Sequence, residues 1–211
     1  MGLFDFLFPP RVDEIALRSI SDDDFLSLIK PRIVPETRPG TVVLLPFNDQ
    51  RVRSVIHEAK YHGNRRAFRL LGSALADYLR DADDVGRRTS YIYLVPIPLG
   101  RERQKERGFN QVEEVTRRAV QELGIKIETG LLVRTRETIS QISLAREKRE
   151  ENMRGAFSAS PRLRRTSIAE INKSTFIIVD DVITTGATLQ SAINALKDAG
   201  AENVIPLALA H

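Results

Sequence analysis

The chain has 211 residues, of which 42% are hydrophobic and 28% are charged, and its net charge is +4. This composition is typical of a globular protein with one main core, and the small positive charge favours anionic ligands without requiring nucleic acid. The absence of cysteine excludes disulfides and thiolate metal sites. No apolar stretch approaches about 18 residues and the N-terminus lacks the features of a signal peptide, so we expect no membrane-spanning helix and a cytoplasmic location.

Residues 1–46 are predicted to form an N-terminal appendage, and residues 47–211 to form the main domain. Within the appendage, Ser21 is expected to cap a short helix with Asp24 as its reciprocal partner, and Pro31 is expected to end that helix. Little chemistry is visible in this region.

Two amphipathic helical patterns follow between Asn48 and Asp83, separated by Gly63. We expect this helical pair to pack on a sheet. Its two histidines, His57 and His62, lie five residues apart, which is a poor spacing for two metal ligands on one helical face. We therefore interpret both histidines as surface or capping residues.

Residues 91–98 are predicted to form a strand whose prolines limit pairing near its end. A polar, cationic loop is predicted from Gly100 to Gly108, followed by a helix from Asn110, where Glu113 could complete a capping pair. Loops at strand-to-helix crossings commonly carry ligand-binding residues, so we expect at least one arginine of this loop to contact an anion. A solvated charged face is the alternative.

The region between residues 125 and 174 has weak patterning. Residues 125–133 are predicted to form a strand interrupted by Gly130, and regular patterning fails between Arg134 and Gly155. Polar segments of this length are usually functional or disordered, and a flexible surface connection is the alternative. Residues 158–174, rich in serine and arginine, are predicted to form a linker into the next strand.

Residues 176–188 contain the strongest motif of the chain. A short, largely β-branched apolar run predicts a strand buried on both faces, and two carboxylates, Asp180 and Asp181, stand at its end. A turn with three threonines and a glycine follows, and then an apolar helical pattern that closes at Gly200. A final strand, residues 204–210, is expected to run parallel to the strand that ends at the two carboxylates.

The turn after the two carboxylates has the chemistry of a sugar-phosphate site. Backbone N–H groups at the helix start, with the hydroxyls of Thr184, Thr185 and Thr188, can hold a phosphate, and Gly186 allows close approach of the backbone. Adjacent carboxylates would repel that phosphate, but they can accept hydrogen bonds from a vicinal diol or help to hold a divalent cation. A phosphate beside a diol describes a ribose 5-phosphate. An ordinary buried strand followed by a capped helix is the alternative.

This motif resembles the phosphoribosyl pyrophosphate (PRPP) signature of the type I phosphoribosyltransferases. The resemblance implies an α/β fold, with a twisted, mainly parallel sheet and helices on both faces. It also implies that Asp180 and Asp181 hold the ribose hydroxyls, and that Mg²⁺ is required, held mainly by PRPP and only indirectly by the two acids. The residues that it assigns to the 5′-phosphate are Thr184, Thr185, Gly186, Ala187 and Thr188.

Other segments resemble the ComF-type members of that family, which are linked to bacterial competence. The pentapeptide Arg-Gly-Phe-Asn-Gln at residues 107–111 and the Lys-Tyr-x-Gly element at residues 60–63 both match their pattern. ComF-type members typically carry an N-terminal four-cysteine zinc ribbon. Val12 stands where the first cysteine would be expected and no cysteine follows, so no zinc is expected here.

The same resemblance implies further ligand-binding residues. The loop after Pro98 would hold pyrophosphate, and the long polar segment would close over PRPP, because water would capture the cationic ribosyl centre of the reaction. The residues so implied are Leu99, Gly100, Arg101, Arg107, Arg134 and Gln141 for substrate binding, and Arg149, with the acid pair, for catalysis.

No residue identifies the acceptor, and three functions stay open. The first is transfer of phosphoribosyl from PRPP to an unknown acceptor, expected to be a nitrogen nucleophile, in a ComF-type role in DNA uptake. The second is a PRPP- or nucleotide-binding accessory protein that works with competence-machinery partners without turnover. The third is a single-strand DNA-binding module that uses the basic loops, for which binding would fall steeply with salt and survive loss of the acid pair.

Overall fold

The computed structural model describes residues 11–82, 91–123, 126–136, 153–166 and 168–211. In chain order, the described elements are α1 (Val12–Ser19), α2 (Asp22–Leu26), β1 (Arg32–Val34), β2 (Thr41–Leu45), α3 (Gln50–His62), α4 (Arg65–Asp81), β3 (Tyr91–Pro96), α5 (Arg101–Arg107), α6 (Gln111–Leu123), β4 (Lys126–Ile127), β5 (Leu132–Arg134), β6 (Phe157–Ala159), α7 (Pro161–Arg165), α8 (Ile168–Asn172), β7 (Ser174–Val182), α9 (Ala187–Lys197) and β8 (Asn203–Ala210). Among these residues, no helix has the length and apolar character needed to cross a membrane.

Six strands form one sheet in the order β1-β2-β8-β7-β3-β4. The pairs are parallel except for β1 and β2, which are antiparallel. The signature strand β7 lies inside the sheet, between β3 and β8, and the unit β7-α9-β8 is the predicted parallel crossover. Strands β5 and β6 form a separate antiparallel pair. The mainly parallel sheet is therefore confirmed.

A hydrophobic core lies on each face of the sheet. In β7, Ile177 and Val179 belong to a core shared with helices α3, α4 and α6, whereas Phe176 and Ile178 belong to a core shared with helix α9. Alternate residues of a strand face opposite sides of a sheet, so β7 is covered on both faces. This explains its continuous apolar run and confirms the α/β fold with helices on both faces.

The helical pair and the cap of α2 follow their sequence signals. Helices α3 and α4 are separated by Gly63, which ends α3 in the left-handed region with φ 58°. In α2, the N–H of Asp24 donates to Ser21 Oγ at 3.0 Å, and that hydroxyl donates to Asp24 Oδ2 at 2.6 Å. The predicted cap by Ser21 is therefore formed, whereas Asp24 returns to the Ser21 hydroxyl and not to its backbone N–H.

The N-terminal region contributes to the main sheet and core. Strand β2, which lies within residues 1–46, pairs in parallel with β8. Phe25 of α2 is fully buried in the core that helices α3, α4 and α6 share. Residues 32–45 are thus part of the sheet that carries the signature strand.

The segment predicted as a cationic loop is helix α5, so that prediction was wrong. Its residues are straight-chain and polar, with good helix propensity, and Gly108 ends it in the left-handed region with φ 77°. No residue of α5 is buried, so the helix leaves no apolar periodicity in the sequence. The following cap also differs: Asn110 Oδ1 accepts from the N–H of Val112 at 3.0 Å, while Glu113 pairs with Arg117.

Two predictions in the weakly patterned region were wrong. The single interrupted strand is two short strands, β4 and β5, that belong to different sheets, with Gly130 between them at φ 84°. The linker of residues 158–174 contains β6, α7 and α8. Leu163 and Ile171 are both buried in the core on the α9 side, and two such widely spaced apolar residues are too few to mark helices in the sequence.

Candidate functional site

The site lies at the carboxyl edge of the sheet, where β7 and β3 end side by side. The two strands run parallel, with Pro96 of β3 opposite Val179 of β7. Asp180 and Asp181 follow Val179 directly, and the segment leading into α5 follows Pro96. Because parallel strands end at the same edge, the acid pair and this segment are brought together, as the crevice rule for open α/β sheets requires.

A small open pocket forms between Asp180 and the bend that leads into α9. Its lining comes from Asp180, Val182 and residues 183–189. Thr184 is exposed, whereas the hydroxyl oxygen of Thr185 is buried and has no hydrogen-bond partner among the described residues. A buried hydroxyl without a partner costs free energy, so a ligand oxygen that accepts its hydrogen bond would be favoured.

Gly186 gives the bend its shape. Its φ of 74° lies in the left-handed region, and an added Cβ would stand 2.5 Å from the carbonyl oxygen of Glu36. That carbonyl belongs to the connection between β1 and β2, which also donates from Arg38 N to Gln190 Oε1 of α9 at 2.8 Å. The connection between β1 and β2 therefore packs against the bend, and only glycine fits at position 186.

The two carboxylates differ in their surroundings. Asp181 is 7% exposed, and its Oδ2 accepts from Gln111 Nε2 at 2.7 Å and lies 3.0 Å from Lys60 Nζ. Its Oδ1 accepts from the N–H of Val182 at 2.7 Å. Asp180 is half-buried and lines the pocket; its Oδ1 accepts from the N–H of Asp181, and its other oxygen has no hydrogen-bond partner in the described part of the chain. Asp180 is thus the acid that faces the pocket.

This difference sets opposite pKa shifts. Burial and the neighbouring charge of Asp181 raise the pKa of Asp180 to about 7. Burial also disfavours the charged form of Asp181, but the charge and hydrogen bond of Lys60, with the hydrogen bond from Gln111, outweigh it and lower the pKa of Asp181. Burial likewise opposes the charge of Lys60, and the charges of the two acids overcome it and raise the pKa of Lys60. Near neutral pH, Asp181 and Lys60 therefore form a charged pair.

Gln111 connects the acid pair to the positively charged helix α5. Its amide nitrogen donates to Asp181, and its amide oxygen accepts from Arg107 Nη1 at 3.1 Å. The guanidinium of Arg107 also lies over the ring of Tyr61, 5.1 Å from its centroid. A chain of contacts thus runs from α5 through Gln111 to Asp181 and holds Arg107 at the edge of the site.

The structure places the other predicted substrate-binding residues as follows. Leu99 and Gly100 lie between β3 and α5 at the same edge of the sheet, half-buried and buried respectively, and Arg101 is exposed on the first turn of α5. Arg134 is half-buried on β5 over the ring of Phe157, and its charge acts to lower the pKa of Asp180. Gln141 and Arg149 lie outside the described residues.

The sequence did not predict that two residues of the site contact Asp181, although the family resemblance implies that the region around Lys60 helps to cover the site. Lys60 lies in the Lys-Tyr-x-Gly element and Gln111 ends the Arg-Gly-Phe-Asn-Gln pentapeptide, so both stand within segments that carry the family resemblance. Their position against Asp181 is a tertiary contact, and Gln111 is 70 residues from Asp181 in the chain. The available signal was the match itself, because nothing in local patterning connects either residue to the acids.

A second polar cluster lies earlier on α3. The potential ligand atoms of His57, Glu58 and His62 lie within 4.8 Å of one another. The carboxylate of Glu58 is fully buried and accepts from Arg11 Nε and Nη2 at 3.0 and 2.8 Å, and His57 Nδ1 lies 3.0 Å from Asp13. Both histidines are exposed, as predicted, but the fold brings their ligand atoms together, so the five-residue spacing does not exclude a shared metal site. Their interpretation as non-ligands stays a prediction.

Comparison with known proteins gives one family match and several relatives. The family described as the phosphoribosyl transferase domain matches residues 95–211, which include α5, Gln111, the acid pair and the bend. Competence protein F of Haemophilus influenzae is 29% identical over 150 residues, which is 71% of this chain and 63% of that protein. DNA utilization protein YhgH of Escherichia coli is 31% identical over 154 residues, with the same shares covered. Bifunctional protein PyrR of Corynebacterium efficiens is 31% identical over 120 residues, which is 56% of this chain and 52% of that protein. The chain therefore spans less than two thirds of the length of these relatives.

Proposed function

Since the chain is a ComF-type member of the phosphoribosyltransferase family, we propose that it binds PRPP with Mg²⁺ at the acid pair and the bend into α9. The observation that carries this proposal is the pocket between Asp180 and residues 183–189. Thr185, whose buried hydroxyl has no partner among the described residues, and Asp180, whose second carboxylate oxygen has none there either, both line this pocket. The first suits a phosphate oxygen and the second suits a sugar hydroxyl.

Different residues hold different chemical groups of PRPP. Thr184, Thr185 and Thr188, with backbone N–H groups at the start of α9, hold the 5′-phosphate. Asp180 accepts from a ribose hydroxyl, and Asp181 supports the second hydroxyl from its position beside Lys60. Arg107 and the segment of residues 99–101 hold the pyrophosphate. An arginine guanidinium can donate two parallel N–H bonds to phosphate oxygens, and the positive charge of Arg101 in this segment also attracts the anion.

The reaction that this arrangement supports is transfer of phosphoribosyl to an acceptor. The bond between C1 of the ribose and the pyrophosphate oxygen breaks, and an acceptor nitrogen forms a new bond to C1. When bound with PRPP, Mg²⁺ supplies positive charge that stabilises the leaving pyrophosphate. Arg107 adds positive charge at the edge of the site, and Arg134 adds it from β5, where its charge acts on Asp180. The acceptor is not identified by any residue of the site.

The biological role proposed for this activity is in DNA uptake. Two of the relatives are named for competence and for DNA utilization, and each shares at least 29% identity with 71% of this chain. The family match, which runs through residues 95–211, includes the acid pair and the bend. Competence-machinery proteins are the partners that this role implies.

The first test is calorimetric titration of PRPP with and without Mg²⁺. We expect Mg²⁺-dependent binding that Asp180→Asn weakens by at least about tenfold, because a hydrogen bond to a charged group contributes about 1.5–3 kcal/mol. Asp77→Asn is the matched control, since Asp77 pairs with Arg80 on α4 away from the pocket. Asp181→Asn tests the second acid, and unchanged PRPP affinity in both acid variants would contradict the proposal.

The second test separates an enzyme from a binding protein. With PRPP and Mg²⁺ present, pyrophosphate release is measured across a panel of nitrogen acceptors. An enzyme releases pyrophosphate with its own acceptor and loses this activity in Asp180→Asn, whereas an accessory protein binds PRPP and releases none. Binding of single-stranded DNA that falls steeply with salt and persists in Asp180→Asn would instead support a separate nucleic-acid surface.

A further inference from the structure

Lys60 occupies the position beside the acid pair that a cation would otherwise take. It lies in the last turn of α3, and its Nζ stands 3.0 Å from Asp181 Oδ2. The side chain of Lys60 is 26% exposed and that of Asp181 is 10% exposed, so this pair is shielded from bulk water. Since Gln111 Nε2 donates to the same oxygen at 2.7 Å, Asp181 Oδ2 already has two donors.

Two adjacent carboxylates at a strand end would ordinarily attract a divalent cation. Mg²⁺ and Mn²⁺ prefer carboxylate oxygens, and two ionised acids would offer a charge of about −2. The ammonium group of Lys60 reduces that charge by one and contacts the oxygen that a metal would use. A free cation must therefore displace a partly buried ammonium before it can reach this oxygen of Asp181.

We propose that Lys60 is a built-in counter-ion of the acid pair, which keeps free divalent cations away from Asp181 in the absence of ligand. On the proposed function, the metal then enters the site only together with PRPP, whose phosphates chelate it. Lys60 is a positioning residue in this scheme. It holds Asp181 in place through its contact with Oδ2, without contacting the reacting atoms.

Other charged groups around the acids do not replace Lys60. Arg107 reaches Asp181 only through Gln111, and Arg134 acts on Asp180 from β5. Glu58, two residues before Lys60, is occupied by Arg11. Within the described part of the chain, Lys60 is the cation that the structure records in direct contact with Asp181.

The test is a titration of the protein with Mn²⁺ alone, in which the concentration of free Mn²⁺ is measured by electron paramagnetic resonance. The variants are Lys60→Met, which keeps the length of the side chain without its charge, and Lys60→Arg, which keeps the charge. We expect Lys60→Met to gain one saturable Mn²⁺ site at least about tenfold tighter than any in the unmodified protein, because removal of a positive charge about 3 Å away strengthens the local field. Lys60→Arg should bind Mn²⁺ as the unmodified protein does.

Assignment of the new site to the acid pair needs a double variant. Lys60→Met with Asp181→Asn should lose the gained Mn²⁺ site, whereas Mn²⁺ bound at the His57, Glu58 and His62 cluster would not depend on Asp181. Thermal unfolding checks that each variant is folded, and Lys60→Gln, which can still donate to Asp181, replaces Lys60→Met where the latter does not fold. A merely structural role for Lys60 would not create a metal site.

The outcomes separate this inference from the proposed function. No gain of Mn²⁺ affinity in the folded Lys60→Met and Lys60→Gln variants overturns the counter-ion role, whatever the PRPP titration gives. A gain that survives Asp181→Asn overturns it as well, since the metal would then bind elsewhere. A gain that requires Asp181, in a protein that binds no PRPP, supports the counter-ion role and rejects the PRPP proposal instead.

Discussion

Asp180 and Asp181 are chemically identical neighbours, yet the fold gives them different partners and opposite pKa shifts. The alternation of a strand turns them to different sides, so that Asp181 meets Lys60 and Gln111 while Asp180 lines the pocket. The fold thus keeps Asp180, the acid that we propose binds a sugar hydroxyl, in surroundings that disfavour its charge. Such local cost is typical of functional positions.

Asp180→Asn is expected to stabilise the protein without ligand at pH 8. The pKa of Asp180 is about 7 in the folded state, against about 3.9 in an unfolded chain, so the folded state binds the proton more tightly. Stability is therefore lost as pH rises from about 4 through 7, and the neutral amide escapes this loss. With a discount for partial exposure, urea unfolding should give a gain of about 1–3 kcal/mol at pH 8 that shrinks at pH 5.

The control for this prediction is Asp77→Asn, measured at the same two pH values. Asp77 forms an exposed pair with Arg80, so its loss should change stability by less than about 1 kcal/mol at either pH. A less stable Asp180→Asn variant at pH 8 would show that the ionised form of Asp180 is better accommodated than its surroundings indicate.

The start of helix α1 is joined to helix α3 by a partly buried ion pair. Arg11, the residue before α1, donates twice to the carboxylate of Glu58, which is fully buried and also accepts from Asn64 Nδ2 at 3.1 Å. Burial disfavours the charge of Glu58, but these hydrogen bonds, with the charges of Arg11 and His62, outweigh it and lower the pKa of Glu58. The end of α3 that carries Lys60 is thereby tied to the N-terminal region.

Arg11→Ala should destabilise the protein by about 1–3 kcal/mol at pH 7, since it leaves the buried carboxylate of Glu58 without its main partner. This loss of stability is smaller than that expected for a fully buried pair, because the Arg11 side chain is 48% exposed. A carboxyl group with a lowered pKa contributes stability above its unfolded pKa of about 4.3 and loses it as pH falls through the folded value. The deficit, measured by urea unfolding, should therefore shrink at pH 4.

Arg18→Ala is the matched control on the same helix. Arg18 pairs with Glu14 one turn away on the exposed side, and such i,i+4 pairs contribute about 0.3–0.5 kcal/mol. A deficit for Arg11→Ala that is no larger than that of Arg18→Ala, or that grows on acidification, would rule out the role given to Glu58.

At the scale of the whole molecule, the sheet depends on its N-terminal strands. Strand β2 separates β8 from β1, and the connection between β1 and β2 supports the bend at Gly186. Leu17 and Phe25, from α1 and α2, are buried in the same core as α3, α4 and α6. Removal of these elements would expose both a strand edge and a core surface.

A chain beginning at residue 47 should therefore fail to unfold cooperatively and should aggregate, although the sequence predicts a domain from that position. Without β2, the parallel partners of Val42 and Val43 on β8, Leu207 and Ala208, lose their ladder on one side. A chain beginning at residue 11 keeps every described element and should melt close to the full chain. Thermal unfolding followed by circular dichroism compares the two, and a cooperative melt of residues 47–211 would instead support the boundary predicted at residue 46.

The local features of this protein follow from local patterns. The apolar run of β7, the period of α9, the glycine at the end of α3 and the cap at Ser21 each depend on a few consecutive residues, and all were predictable. The polar helix α5 and the short helices α7 and α8 were missed, because they bury too few side chains to leave a periodic signal.

By itself, the sequence determined the mainly parallel α/β sheet, the family and the presence of an acid pair before a hydroxyl-rich bend, because each is written in contiguous residues. Only the tertiary structure decided which acid faces the pocket, that Lys60 and Gln111 hold the other, and that Glu36 lies behind Gly186. These contacts join residues far apart in the chain. Their burial and charge arise when the sheet and its helices pack, and no local pattern encodes them.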